Sequence, residues 1–341
     1  MHAAATDALA ASPSAPLRML LRSFGQIVLQ ANAFSGACFV AAWLLSGPRL
    51  ACAALLGALA ANVNATLAGA ADADTRAGLH GFNGALAGLA AFSFIDDPAT
   101  AAAVALLAAT ATAWLQPPWS RWLRKHGLGC YSSPCLIVTW LWLPLAGVHA
   151  GQASALPAQP LDAMQFIGGT LAGIAQTGFA SGAPAGAIVL LGIVVAARRP
   201  AWCALIGGTL ASAVLLSLGA GIDSFAAGLC GFNGALTALA LADAGWATML
   251  AGVTLAAALQ AGAAHVGWPT MSAPFVLATW AMQLIRRRLS CGPRHGRQAG
   301  IIQVRVVDDH VASRHVASLL SSALCGSISG RLAHTARKAW E

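Results

Sequence analysis

Long apolar stretches extend through residues 50–284 and are interrupted only by short segments that contain Gly, Pro, Asp or Arg. A helix that crosses a bilayer core needs about 17–25 predominantly apolar residues. Charged residues make up 9% of the sequence, whereas a soluble domain has about 25%. Because so few charges cannot cover a surface in water, we predict an all-α, polytopic membrane protein.

The apolar region contains an internal repeat. Residues 80–90 (HGFNGALAGLA) recur as residues 230–240 (CGFNGALTALA), and residues 133–140 (SPCLIVTW) recur as residues 273–280 (APFVLATW). Further positions of the two halves match in the same order. Gln26 matches Gln176, Leu29 matches Phe179, and Gly36-Ala37 matches Gly186-Ala187. Blocks that keep one order and differ only in loop length indicate a duplicated chain.

Each half consists of a short segment followed by five candidate spans. The short segments, residues 17–31 and 162–182, are too short and too broken to cross a bilayer. The candidate spans are residues 33–46, 50–71, 79–95, 99–116 and 133–148, and then 183–197, 201–221, 224–242, 246–264 and 273–289. Because an odd number of spans turns the second half over, we predict two inverted repeats, residues 17–150 and 151–290.

The distribution of charge agrees with this topology. With the N-terminus inside, eighteen of the nineteen Lys and Arg residues fall on the predicted cytoplasmic side, as the positive-inside rule requires. Arg49 is the exception, and Asp96, Asp97, Asp162 and Asp223 lie with it on the predicted outer side. We therefore assign the net charge of +8 to membrane orientation and not to nucleic acid binding. Both termini are expected in the cytoplasm, and the protein in the inner membrane.

The two ends of the chain differ from its apolar region. Residues 1–16 are rich in Ala, Ser and Pro and lack the basic start of a signal peptide, so we expect a flexible N-terminus. Residues 291–341 mix Arg, His and Ser with short apolar runs, which predicts a poorly ordered cytoplasmic tail. The eight cysteines form no CxxC pair, so neither a metal site nor a disulfide framework is expected, and no cofactor is implied.

The duplicated apolar residues are candidates for a solute path. Inverted repeats commonly form their site at the repeat interface, near the bilayer midplane. Phe82 and Leu86 share a helix face, and so do Phe232 and Leu236. Each phenylalanine could pack between helices or face the path, and its repetition beside a polar residue favours the path.

The duplicated amides have two possible roles. Gln26 and Gln176 must be satisfied by hydrogen bonds, either to a solute or within the short segments that carry them. Asn83 and Asn233 are interpreted as structural amides that tie a break between helix segments to a neighbour.

Two duplicated threonines follow prolines by five residues. Thr139 follows Pro134, and Thr279 follows Pro274. A threonine in a membrane helix usually bonds to the carbonyl four residues earlier. Where a proline frees backbone carbonyls, the hydroxyl and the carbonyls can instead face a cavity together.

The sequence argues against several functions. No Asp, Glu, Lys or Arg falls at the middle of a predicted span, although coupled carriers and voltage sensors mark their pathways with such residues. A GxxxxGK[ST] phosphate loop is absent, so the sequence does not support ATP-driven transport. HExxH, GxSxG and histidine clusters are also absent, and we do not expect an enzyme. These exclusions favour a passive path for a neutral solute.

Three features of the sequence are the paired Phe-Asn-Gly-Ala-Leu blocks, the Gly25-Gln26 segment that leads into Asn32 and Ser35-Gly36, and the paired Pro-x-x-x-x-Thr-Trp blocks. Together, they resemble the urea transporter family. The resemblance covers about residues 17–290. It implies two inverted five-helix repeats, each with a re-entrant pore half-helix, in a homotrimer with one pore per subunit. It also implies a narrow selectivity filter with apolar slots on two sides and a ladder of oxygen atoms along one edge.

The resemblance implies that ten residues contact the solute. These are Gln26, Leu29, Phe82 and Leu86 at one slot, Gln176, Phe179, Phe232 and Leu236 at the other, and Thr139 and Thr279 at the constriction between them.

Three transport functions stay open. The first is a passive urea channel, because a flat, uncharged amide fits between apolar faces while oxygen atoms replace its bonds to water. The second is a channel for another small neutral solute, such as a short amide or ammonia, although no repeat-related pair of histidines is present for ammonia. The third is an ion-coupled secondary carrier, which would need a buried ionisable residue. A membrane enzyme or scaffold is the least favoured.

Overall fold

The computed structural model describes residues 15–70, 72–146 and 162–290. The predicted flexible N-terminus lies outside these residues except for its last two positions. The predicted cytoplasmic tail, residues 291–341, lies outside them entirely.

All regular secondary structure in the described residues is helical. The fourteen α-helices are α1 (Ala15–Gly25), α2 (Ala33–Ser46), α3 (Pro48–Leu67), α4 (Asp72–Arg76), α5 (Gly81–Phe94), α6 (Pro98–Lys125), α7 (Ser133–Trp142), α8 (Ala163–Gln176), α9 (Ala183–Ala196), α10 (Arg198–Ser217), α11 (Ile222–Ala226), α12 (Phe232–Ala240), α13 (Trp246–His265) and α14 (Ala273–Ser290). Short 3₁₀ turns follow α1, α7 and α12 at Gln26–Val28, Leu143–Ala146 and Ala242–Ala244. The helices α1–α7 and α8–α14 correspond one to one, in the order of the sequence repeat.

Each of the ten predicted spans contains a helix, but the lengths differ. In the described residues, α3, α6, α10 and α13 are long and apolar enough to cross a membrane alone. A further candidate is the bent pair formed by α1 with its 3₁₀ turn and α2, whose two parts meet at 79°. The predicted continuous span at residues 224–242 is wrong, because a turn separates α11 from α12. Gly228 in this turn has a φ of 83°, a left-handed conformation that favours glycine.

Side-chain caps fix where several helices begin. The Asn32 side chain accepts hydrogen bonds from the backbone N–H groups of Phe34 and Ser35 at the start of α2. Asp97 accepts one from the backbone N–H of Thr100 at the start of α6, and this hydrogen bonding lowers the pKa of the exposed carboxyl group. Such caps satisfy backbone donors that the first turn of a helix leaves unpaired.

Matched glycines let helices approach closely in both halves. A Cβ atom on Gly57 of α3 would overlap the backbone of Gly84 in α5. A Cβ atom on Gly207 of α10 would overlap the Ala238 side chain and approach the backbone of Gly234 in α12. Small residues allow such backbone contacts between helices in membranes. The same crossing therefore occurs once in each half.

Helices α2 and α9 are matched in the repeat, and they pack against each other in opposite directions. Ser35, near the start of α2, donates a hydrogen bond from Oγ to the carbonyl of Gly192, near the end of α9, at 2.8 Å. Ser46, at the end of α2, accepts a hydrogen bond from the backbone N–H of Ser181, just before α9, at 2.9 Å. The two matched helices are therefore antiparallel.

Candidate functional site

A cavity of about 800 Å³ is lined by residues from both halves of the repeat. Seven of the ten predicted path residues line it, and these are Gln26, Leu29, Phe82, Leu86, Gln176, Phe179 and Phe232. Residues far apart in the sequence are thus brought together around one space. The cavity is our candidate functional site.

The two glutamine segments end with the same backbone conformation. Leu29 has a φ of 60° and Phe179 a φ of 61°. Large side chains are uncommon in this left-handed region, because Cβ crowds the following carbonyl. Each segment turns sharply at its matched residue, and the side chain of that residue lines the cavity.

The two glutamines offer their amide groups differently. Gln26 is almost fully buried, and its Nε2 donates a hydrogen bond to the carbonyl of Ala77 at 3.1 Å. This bond leaves Oε1 of Gln26 as an acceptor for a solute. Gln176 is half-buried and makes no hydrogen bond to the other described residues through its side chain. Both of its amide atoms are therefore available to a solute.

In the first half, Asn83 joins three segments around the cavity. Its Nδ2 donates to the carbonyl of Tyr131 at 3.2 Å and to Oε1 of Gln116 at 3.4 Å. Its Oδ1 accepts from the backbone N–H of Cys135 at 3.4 Å. Gln116 in turn donates to the carbonyl of Leu79, just before α5. The start of α5, the middle of α6 and the start of α7 are thereby held together.

The second half repeats this network, and the three bonds of its asparagine are shorter than those of Asn83. The Nδ2 of Asn233 donates to Oε1 of Gln260 at 2.9 Å and to the carbonyl of Met271 at 3.1 Å. Its Oδ1 accepts from the backbone N–H of Phe275 at 3.3 Å. Gln260 donates to the carbonyl of Leu229 at 2.7 Å. The two asparagines therefore fix equivalent backbone positions.

Two serines meet where the halves join. The Oγ atoms of Ser132 and Ser272 are 2.9 Å apart, and both residues line the cavity. The sequence interpretation missed them. They match at the same offset of 140 as the threonines, and each lies two residues before Pro134 or Pro274. That repetition is the signal by which they could have been found.

Three predicted path residues are not among the residues that line this cavity. Thr139 and Thr279 are fully buried, and Leu236 is 4% exposed. The Oγ1 of Thr139 lies 3.8 Å from Sγ of Cys135, which does line the cavity. The Oγ1 of Thr279 has no hydrogen-bond partner within the described residues. Cys135 and Phe275, one helical turn before Thr139 and Thr279, do line the cavity.

Matched tryptophans exchange equivalent contacts between the halves. Trp140 in α7 donates from Nε1 to the carbonyl of Pro269 at 3.0 Å. Trp280 in α14 donates from Nε1 to the carbonyl of Gly129 at 2.7 Å. Matched residues that exchange the same contact have the arrangement of a two-fold, self-complementary interface. Together with the serine pair, these bonds tie each half to the loop of the other.

A family model described as "UT: Urea transporter" matches residues 17–287. The chain belongs to the urea transporter family. It is also similar to urea transporter 1 of Capra hircus, with 26% identity over 292 residues, which cover 78% of this chain and 76% of that protein. The family resemblance predicted from the sequence is therefore confirmed. It is a transport family and not an enzyme family, and with the apolar helices it shows a multi-pass membrane protein.

The cavity of this urea transporter family member is suited to an uncharged solute. Among the described residues that line it there is no Asp, Glu, Lys or Arg, and His265 is the one basic residue. An ion entering such a space would lose its hydration shell without compensation. The arginines that bond to helix ends lie elsewhere. Arg49 donates to the carbonyl of Ile95, and Arg199 donates to the carbonyl of Ala242.

Proposed function

We propose that this protein is a passive channel for urea. The observation that carries the proposal is the composition of the cavity wall, in which amide and hydroxyl groups lie among apolar side chains without Asp, Glu, Lys or Arg. Urea is flat and uncharged, with amide donors at its edge and weakly hydrated faces. Apolar side chains match the faces, and oxygen acceptors at the edge replace the hydrogen bonds of water.

The path runs between two apolar slots. Leu29, Phe82 and Leu86 form the first slot, and Phe179, Phe232 and Leu236 form the second. Gln26 and Gln176 offer amide groups at these slots. Leu236 lies one helical turn beyond Phe232 on the same face of α12, which supports its place in the second slot.

We place the constriction between the slots at Ser132 and Ser272 and not at Thr139 and Thr279. The serines line the cavity and approach each other to 2.9 Å, whereas the threonines are fully buried and are not among its lining residues. The serine hydroxyl groups bond to each other, and each can turn to accept a urea N–H instead.

The two halves are inverted repeats, and α1 is a re-entrant half-helix. Support comes from the antiparallel packing of α2 against α9 and from the contacts that matched residues exchange. The 79° bend between α1 with its 3₁₀ turn and α2 supports the re-entrant segment. Arg287 bonds to the carbonyl of His126, so the basic ends of α6 and α14 lie on one side. This side is cytoplasmic by the positive-inside rule, with both termini, in the inner membrane.

The protein assembles as a homotrimer with one path per subunit. The family resemblance suggests both the trimer and the single path per subunit.

The channel proposal is tested by urea flux into liposomes that contain the purified protein. Stopped-flow light scattering should show urea entry faster than in empty liposomes and unaffected by membrane potential or a pH gradient. Accumulation of urea against its gradient, driven by an ion gradient, would instead establish a coupled carrier. Faster entry of acetamide or ammonia than of urea would favour the alternative neutral solutes.

A pair of variants at one position tests the slot. Phe232→Asp should abolish urea flux, because a hydrated carboxylate occupies the apolar slot. Phe232→Leu keeps the slot apolar, so it should retain most of the flux and serve as the matched control. Equal flux through both variants would remove Phe232 from the path.

A further inference from the structure

The cavity is not symmetric about Ser132 and Ser272. The loop between α13 and α14 contributes every residue from Gly267 to Met271 to the cavity wall. The matched loop between α6 and α7 contributes only Tyr131 beside its serine. On the side of the α6–α7 loop, the cavity therefore ends at Tyr131.

Tyr131 is held firmly at this end of the cavity. Its φ is 47°, and its carbonyl accepts the hydrogen bond from Asn83. Its ring packs edge-on against Phe275, with 5.3 Å between the ring centroids. Its hydroxyl oxygen accepts a hydrogen bond from Nε2 of Gln283 at 2.7 Å. Backbone, ring and hydroxyl group are thus each fixed by a different neighbour.

Side chains of α14 also hold the loop that precedes Tyr131. Trp280 donates to the carbonyl of Gly129 at 2.7 Å, and Oε1 of Gln283 accepts from the backbone N–H of Gly129 at 3.4 Å. Arg287 donates to the carbonyl of His126 at 2.8 Å. Three successive turns of α14 therefore bind the loop.

The second half has no equivalent of the bond to the tyrosine hydroxyl. Met271 occupies the position matched to Tyr131, and Leu143 occupies the position matched to Gln283. Neither side chain can form such a hydrogen bond. The matched helix α7 ends at Trp142, whereas α14 continues to Ser290. The tryptophan hydrogen bond is present in both halves. The hydrogen bond between the tyrosine hydroxyl group and a glutamine is present in the first half and has no equivalent in the second.

We propose that Tyr131 is the gate of the solute path and that Gln283 holds it closed. This proposal rests on the proposed channel function. A solute that leaves the cavity past the α6–α7 loop must displace the tyrosine ring, which breaks the bond to Gln283. The ring therefore limits the rate of urea passage and sets the largest amide that passes.

The repeat supplies the substitutions that test the gate. Tyr131→Met and Gln283→Leu each give the first half the residue found at the matched position of the second. Tyr131→Phe keeps the ring and removes the hydroxyl group. A buried hydrogen bond contributes a net 0.5–1.5 kcal/mol, so Tyr131→Phe and Gln283→Leu should raise urea flux roughly two- to tenfold. Leu284→Ala, at an exposed position of α14 next to Gln283, is the control and should leave flux unchanged.

Solute size gives a second measure of the gate. Tyr131→Met removes the ring, so it should increase the flux of N,N′-dimethylurea by a larger factor than that of urea. Tyr131→Phe should leave the ratio of the two fluxes as in the wild type. Unchanged urea flux in Tyr131→Phe and Gln283→Leu, with an unchanged solute ratio in Tyr131→Met, would overturn the gate.

A chemical measurement separates the gate from the channel function. Tyr131 is the only tyrosine in the chain, so nitrotyrosine formed by tetranitromethane reports on this residue alone. Gln283→Leu should be nitrated faster than the wild type, because the ring leaves its closed position more often. Equal nitration rates would overturn the gate even if urea passes. Faster nitration with no urea flux in any variant would support the mobile ring and overturn the channel.

Discussion

Asn233 is 1% exposed, and Asn233→Ala removes three hydrogen bonds to Gln260, Met271 and Phe275. Side-chain hydrogen bonds within membrane proteins contribute on average about 0.6 and at most about 1.7 kcal/mol each. Three of them together give a loss of about 2–5 kcal/mol in the free energy of unfolding. The same substitution at Asn83 should cost less, because two of its three bonds are 3.4 Å long.

The loss is measured by unfolding the protein in mixed micelles with increasing SDS, followed by tryptophan fluorescence. Asn64→Ala is the matched control, because within the described residues the Asn64 side chain bonds only to Thr110 and to its own helix. We expect Asn64→Ala to cost less than half as much as Asn233→Ala. If the two variants unfold at the same SDS fraction, the asparagine network does not join the segments as described.

Three further predictions concern the constriction, the helix crossings and a helix cap. Ser132→Ala and Ser272→Ala should each lower urea flux about fivefold, which is the effect of one lost hydrogen bond. Thr139→Val should leave urea flux nearly unchanged. The opposite result would place the constriction at the threonines. Gly57→Ala should destabilise the protein by about 1–3 kcal/mol through overlap with Gly84. Gly262→Ala should not, because a Cβ atom at Gly262 would have no neighbour within 4 Å. If both variants unfold at the same SDS fraction, the close helix crossing at Gly57 is contradicted. The lowered pKa of Asp97 means that its cap stabilises the fold above the unfolded-state pKa of about 3.9 and loses that effect as pH falls through the lower folded-state pKa. Asp97→Asn should flatten this acid-side decrease in thermal stability, and an unchanged decrease would assign it to another group.

The helical architecture could be predicted because its signals are local and repeated. Apolar length predicted where the helices lie, and the matched blocks predicted the correspondence between α1–α7 and α8–α14. The glutamines and most of the residues proposed for the slots could also be predicted to lie together, because each occurs twice at one offset. The break between α11 and α12 was missed, since the residues around Gly228 are as apolar as a continuous span.

The residues at the centre of the site could not be found in the same way. Thr139 and Ser132 lie seven residues apart in the same repeated region, and the repeat alone does not say which one faces the cavity. That choice depends on the turn at Tyr131, whose positive φ is not evident from a residue type that rarely adopts it. The bond between Tyr131 and Gln283 spans 152 positions and has no duplicate, so no pattern indicates it.

Arg49 is the single Lys or Arg residue on the proposed outer side, and its hydrogen bonds explain why it stays there. It donates to the carbonyls of Ile95 and Asp96 at the end of α5, as the matched Arg199 does to Ala242 at the end of α12. On the proposed inverted topology, the repeated arginine lies at opposite faces of the bilayer in the two halves. The residue before this arginine is Pro48 in the first half and Arg198 in the second. On the proposed topology, Arg198 adds a positive charge on the cytoplasmic side that has no counterpart beside Arg49, and this difference between the halves favours one orientation of the chain.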